Sequence, residues 1–250
     1  MNVRLFIPLA IALLQPVCAI AIENGTAKIY TTSKAEGKYI DCSVSAPFSK
    51  YGQPLEGDAH IFIDLKHRFE KFIGFGGAIT DASAEVYAKL PGEKQKEFID
   101  AYYDDEKGIG YNLVRTHMNS CDFSSDNYIY IEEGDNSLES FLLDMTGGPN
   151  HLNNYCFAPV HADVETGELH YTYAYWYIGH FSKFIKPGAV RVAASSNRSQ
   201  LETVAYLNPD NTLVVVVLNS TGKDIKYGMW MDGYNSPAII KAHTIETWVI

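Results

Sequence analysis

The chain reads as α/β joined to all-β, and three observations predict it. Residues 71–118 carry a strand–turn–helix–strand succession, which opens a barrel or a wound sheet. From Ala189 onward every apolar segment has strand character, at the spacing of a sandwich. A turn-rich, β-like run also precedes the α/β unit, from Thr26 to Leu65.

In that first run, Lys28–Ser33 and His60–Leu65 are strands, the second alternating around Phe62 and Asp64. Ala46–Gly57 contains Pro47, Gly52, Pro54 and Gly57 and is predicted as loop. The stretch Lys71–Ala84 then gives a short apolar strand, a glycine-rich turn at Gly74–Gly77 and an acidic residue opening a helix. This places Asp81 at a strand's carboxyl end, where α/β folds build ligand sites. Asp81 is there either a carboxylate directed at a ligand, or, with Thr80, a helix cap whose glycines permit close packing.

Helices follow at Ala82–Leu90 and Gly92–Tyr103, divided by Pro91-Gly92, the second with Phe98, Ile99, Tyr102 and Tyr103 on an amphipathic face. Ile109–Met118 is a second strand, ending in the polar loop Asn119–Ser124. The α/β succession then stops, because Ser124–Phe141 is polar and acidic and begins no third βα unit. After Gly147-Gly148-Pro149-Asn150 come a strand at Tyr155–Ala162 and an aromatic helix at Tyr173–Phe184, closed by Lys186-Pro187-Gly188. The aromatics of Tyr171–Tyr177 suit either stacking on sugars or a core. The terminal strands are Leu201–Leu207, Leu213–Leu218, Ile225–Trp230 and Ile239–Val249.

Residues 1–21 have the pattern of a secretory leader: Arg4, the apolar run Leu5–Leu14, and small residues at a cleavage point near Ala19 or Ala21. A secreted, periplasmic or lysosomal protein is expected; a lipid anchor on Cys18 is the alternative, disfavoured by Val17. The apolar run is too short to span a bilayer, and no other segment approaches that length. The formal charge of −10 becomes −11 without the leader, which carries one base and no acid. That argues against nucleic acid or an anionic membrane surface as a partner. Cys42, Cys121 and Cys156 remain, an odd number at wide spacing with no disulfide framework and no Cys-x-x-Cys pair.

Dinucleotide, phosphate-loop and serine-elbow motifs are absent from the sequence. The eight histidines are dispersed, so no metal or other cofactor is expected; His117 and His151 fit site-lining or structural roles. What remains is Asp81, Asn119, Asp122, Asn150 and Asn154 at strand ends, carboxylates and amides suited to hydroxylated ligands such as sugars. A retaining glycosidase needs two carboxyls about 5–5.5 Å apart. Asp81 and Asp122 are the one pair on a common rim, and neither has the setting of an acid or a nucleophile.

Four blocks carry a family resemblance: Gly74–Ala82, Asn112–Ser124, Gly147–Asn150 and Tyr177–Ile185. In this order they resemble the glucosylceramidase-like glycoside hydrolases of family 30. The resemblance implies a (β/α)8 TIM barrel with a β-sandwich formed from both chain ends, a retaining two-glutamate mechanism without cofactor, and a β-glucoside or glucosylated lipid as substrate. It also implies that the barrel is incomplete. In the family, the first two blocks are strands one and two and the Gly-Gly-Pro-Asn block follows the last strand. The seam falls at 141/142, between Ser137–Phe141, similar to the run after strand two, and Leu142–Asp144, similar to the run before Gly147.

The implied division is a leader at 1–21, sandwich at 22–67, truncated barrel at 68–187 and sandwich at 188–250. That leaves 120 residues for a barrel that ordinarily needs about 250. The family's acid/base glutamate lies in an Asn-Glu-Pro context that this sequence lacks, and none of its 15 glutamates matches either catalytic strand. Glu139-Ser140 stands where the family has a Trp-Asn pair. Residue matching carries over Asp81 and Asn154 from the glucose subsite, with Asp122 and Asn150 as weaker assignments and no catalytic residue. The chain is therefore expected to be inactive. The alternatives are a carbohydrate- or lipid-binding module, a hydrolase using Asp81 and Asp122, or, were the missing segment restored, a glucosylceramidase, β-1,6-glucanase or β-xylosidase. Sequencing the transcript across Phe141–Leu142 distinguishes an internal deletion from a faulty gene join.

Overall fold

The computed structural model of the chain describes residues 25–124, 129, 133–137 and 158–250. The N-terminal strands are β1 (Thr26–Ser33), β2 (Lys38–Pro47), β3 (Ser49–Lys50) and β4 (Ala59–Lys71). A barrel fragment follows: β5 (Gly76–Ala78), α1 (Asp81–Lys89), α2 (Gly92–Tyr103), β6 (Leu113–Arg115), β7 (Val160–Ala162), β8 (Leu169–Tyr171) and α3 (Tyr173–Ser182). The chain closes with β9 (Val190–Ser196), β10 (Leu201–Leu207), β11 (Leu213–Asn219), β12 (Ile225–Met231), β13 (Tyr234–Ile240) and β14 (Thr244–Val249).

Both chain ends build one ten-stranded sheet, ordered β2-β1-β14-β11-β10-β9-β4-β12-β13-β3. β1 lies between β2 and β14, and β4 between β9 and β12, the β4–β12 pair being parallel. The N-terminal strands are thus inserted among the C-terminal ones. Leu213, Val215 and Val217 of β11 enter one core with Ile29, Met229 and Trp248. Val214 and Val216 point the other way, into a second core with Ile185, Ala189 and Ile245. This explains the unbroken apolar run at Leu213–Leu218: the strand is covered on both faces, as in sheets flanked by helices. Each such valine or isoleucine contributes roughly 1.5–3 kcal/mol by leaving water.

The cover on that second face comes from the barrel fragment, through Phe72, Phe75, Phe181 and Phe184. A polar clamp sits among them. His180 of α3 is fully buried, with Nδ1 2.8 Å from Thr247 Oγ1 and Nε2 2.9 Å from Thr32 Oγ1. Thr247 Oγ1 donates to the His180 carbonyl, and Thr32 Oγ1 accepts from Ile40 N. Those two bonds fix the order of donors: Nδ1 carries the proton and Nε2 accepts from Thr32. Burial pushes the imidazole down to about 3, so it is neutral at physiological pH.

A third core joins α2 to α3 and the β7–β8 hairpin, through Ala101, Ile109, Tyr111, Val160 and Tyr175. Gly179 makes this approach close, since a Cβ there would lie 2.6 Å from Ile40 Cδ1 and 2.9 Å from Ile109 Cγ2.

Several expected elements are redrawn. Ile109–Met118 contracts to the three residues of β6, because Gly110 turns the chain with φ +66°. Ile239–Val249 is two strands, divided where His243 takes φ +49°. β2 alternates through Ile40, Cys42, Val44 and Ala46, a pattern the sequence reading passed over, and β9 is rich in alanine and serine. The seam at 141/142, Gly147–Asn150 and Tyr155–Phe157 lie outside the described residues.

Candidate functional site

The rim is set by two short parallel strands. β5 and β6 pair as Gly76 with Leu113, Gly77 with Val114 and Ala78 with Arg115. Gly76 is obligatory for this approach, because a Cβ there would collide with the Leu113 carbonyl. Beyond the strands, Ile79 N donates to Arg115 O at 2.8 Å, which keeps the two chains in register to the rim.

Thr80 is the N-cap of α1, in a capping box with Ser83: Ser83 N donates to Thr80 Oγ1 at 3.3 Å and Thr80 N to Ser83 Oγ at 2.9 Å. The cap is therefore Thr80, and Asp81 is the first residue inside the helix. Its carboxylate turns to the end of β6, where Oδ1 lies 3.0 Å from His117 Nε2. Both side chains are enclosed, at 6% exposure for Asp81 and 11% for His117.

His117 Nδ1 is 2.7 Å from the carbonyl oxygen of Asn119, which stands in the left-handed region at φ +60°. A carbonyl cannot donate, so Nδ1 holds a proton. The Nε2–Oδ1 contact then needs one more proton, carried either on the imidazole or on Asp81. The arrangement fixes Asp81 in place as a paired acid at a strand end. Sequence reasoning named His117 as site-lining but not as Asp81's partner; its place two residues past β6 was the available signal.

Asp122 lies exposed in the turn after β6, and Phe123 O accepts from Ala82 N at 3.2 Å, tying that turn to α1. Asp81 and Asp122 are thus brought to one rim, the first buried and the second in solvent. Asn150, Asn154 and His151 lie outside the described residues. Among the described residues no group of three His, Cys, Asp or Glu side chains is arranged to hold a metal, and no helix is long and apolar enough to cross a membrane. Cys42 and Cys121 are unpaired and exposed.

A parallel strand rim carrying an acid, joined to a sheet drawn from both chain ends, has the layout of a barrel-and-sandwich protein. The glycosyl hydrolase family 30 TIM-barrel domain matches residues 72–143, and the glycosyl hydrolase family 30 beta sandwich domain matches residues 188–248. The chain belongs to glycosyl hydrolase family 30. It is 42% identical over 87 residues to lysosomal acid glucosylceramidase of Mus musculus, covering 34% of this chain and 17% of that protein. To a Caenorhabditis elegans protein provisionally named glucosylceramidase 1 it is 36% identical over 159 residues, covering 60% of this chain and 30% of that one. The chain thus spans less than a third of either relative. Among solved structures, SrfJ from Salmonella typhimurium superposes with a TM-score of 0.78 at 12% identity, across 90% of this chain and 99% of that one, a likeness of fold.

Proposed function

We propose that this chain recognises the glucosyl group of a β-glucoside or glucosylated lipid at the β5–β6 rim and does not hydrolyse it. The observation that carries the reading is the sequence between β6 and Gly147: it has no Asn-Glu-Pro and no room for the strands that carry the family's two glutamates. Double displacement needs an acid/base and a nucleophile held on opposite sides of one glycosidic bond. Asp81 is a single enclosed acid bound to an imidazole, and such a pair offers oriented hydrogen bonds to sugar hydroxyls. Residue matching proposes Asn154 as its companion, with Asp122 and Asn150 as weaker assignments. The leader pattern of residues 1–21 supports a role in an exported compartment.

Titration of methyl β-D-glucoside into isotopically labelled protein tests the recognition step. Saturable shifts at residues flanking Asp81, weakened about tenfold or more in Asp81→Asn, are expected, since a lost hydrogen bond to a charged group is worth about 1.5–3 kcal/mol. Equal affinity in the variant would remove Asp81 from the site.

A further inference from the structure

A second concavity lies away from the rim, on the outer face between α2, β8 and α3. It is a groove of about 450 Å³, within the size range of small-molecule sites. Three aromatic side chains form one wall: Tyr171, Tyr175 and Trp176. Tyr175 is the fixed part, buried at 2% exposure with its hydroxyl donating to the Ala101 carbonyl at 2.7 Å. Trp176 stands at right angles to Tyr175, with ring centroids 4.9 Å apart, and is half-buried. Tyr171 lies 5.9 Å from Trp176 and donates its hydroxyl to Glu97 Oε1 at 3.3 Å.

The opposite wall is the polar face of α2. Lys94 Nζ bonds Glu97 Oε2 at 2.8 Å, and Lys96 Nζ bonds Asp100 Oδ2 at 2.6 Å. Glu93, Glu97 and Asp100 line the groove with Lys96 and Lys107, while Lys94 stands outside the lining and pairs with Glu97. The wall thus has no excess of positive charge to hold a phosphate or nucleotide, in a chain already at −10. A wholly apolar ligand would leave the charged wall desolvated at a cost.

The ligand these walls suit has one apolar face and a perimeter of hydroxyls. Ring C–H faces stack on aromatic side chains, while carboxylates accept and ammonium groups donate at the perimeter. We propose that this groove is a second carbohydrate-binding site, taking a short neutral β-linked glucan on Trp176 and Tyr171, with Glu97, Asp100 and Lys96 bonding its hydroxyls. It is independent of the β5–β6 rim, and each site stands or falls without the other.

Tryptophan fluorescence reads this site selectively, because Trp230 and Trp248 are buried at 7% and 0% exposure. Cellotriose and gentiotriose are titrated into the full chain, with calorimetry in parallel. Saturable binding by either trisaccharide is expected, about tenfold weaker in Trp176→Ala and severalfold weaker in Glu97→Gln, from the loss of a stacking face or one perimeter bond. The Trp176 fluorescence change reports the groove alone, while calorimetry adds whatever the rim binds. Glu97→Gln, a surface change, keeps the test decisive if Trp176→Ala does not fold. Three results overturn the proposal: no binding at about 10 mM sugar, some 2.7 kcal/mol of affinity; loss through Asp81→Asn but not through the groove variants; or tetramethylammonium binding where neither sugar does, which would make the groove a cation site.

Discussion

Replacing Glu246 by glutamine should change how stability depends on pH. Glu246 sits on β14 facing the sandwich interior at 6% exposure, with Oε2 accepting from the Tyr227 hydroxyl at 3.1 Å. Its surroundings are Ile29, Ala46, Pro237 and Ile239, and the nearby Lys38 and Lys241 are engaged with Glu36 and Asp224 at 2.8 and 2.9 Å. Burial pushes the carboxyl up from 4.5 to about 7. The folded state therefore binds this proton more tightly than the unfolded chain. The contribution is complete below pH 4.5 and is lost as pH rises through 7, a change of about 3 kcal/mol. His180 acts in the opposite sense: its folded value lies near 3 instead of 6.5, so its contribution is present above 6.5 and is lost as pH falls. The two slopes oppose one another between about 4.5 and 6.5, so the difference between wild type and Glu246→Gln isolates the carboxyl. Urea denaturation of both proteins across that range and up to about pH 8.5 should show the variant gaining about 3 kcal/mol relative to wild type. A difference that stays constant with pH would refute the assignment.

Two further outcomes follow from the polar clusters. His117→Ala removes the imidazole from an enclosed carboxylate and should cost about 1–3 kcal/mol by urea denaturation. Adding Asp81→Asn should cost less in that background than in wild type, a coupling read from a double-mutant cycle. Thr32→Val leaves His180 Nε2 without its hydroxyl donor in a buried interface. It should lower stability by about 1–3 kcal/mol, and native-state hydrogen exchange should show faster exchange across α3.

The sandwich was legible because its strands are long, apolar and bounded by turn residues. Leu201–Leu207 appears as β10 with the same limits. The α2 helix matched because Pro91-Gly92 and the Phe98–Tyr103 spacing encode it locally. The order of the strands was not legible in residue patterns, since the insertion of β1 and β4 among C-terminal strands is a long-range event; the family resemblance supplied only that both chain ends share one sandwich. β9 was missed because Ala193, Ala194, Ser195 and Ser196 gain strand character from pairing with β4, not from propensity. At the rim, the sequence placed Asp81 at a strand end and left its role open. The capping box, which depends on Ser83 as well as Thr80, gives the cap to Thr80 and directs Asp81 to His117. The sequence also holds a glycosylation sequon at Asn219-Ser220-Thr221. Asn219 belongs to Asn-Ser-Thr, yet it is fully buried with Nδ2 donating to the Lys223 and Lys241 carbonyls at 2.8 Å, beyond the reach of a modifying enzyme.

The most direct test of the central claim, glucoside recognition without cleavage, is one tube containing the purified chain and an aryl β-glucoside, followed by both aryl release and ligand-observed NMR. Binding that Asp81→Asn weakens is expected, with aryl release at the uncatalysed rate in both proteins. Release above that rate, abolished by Asp81→Asn, would contradict it and make Asp81 a catalytic residue.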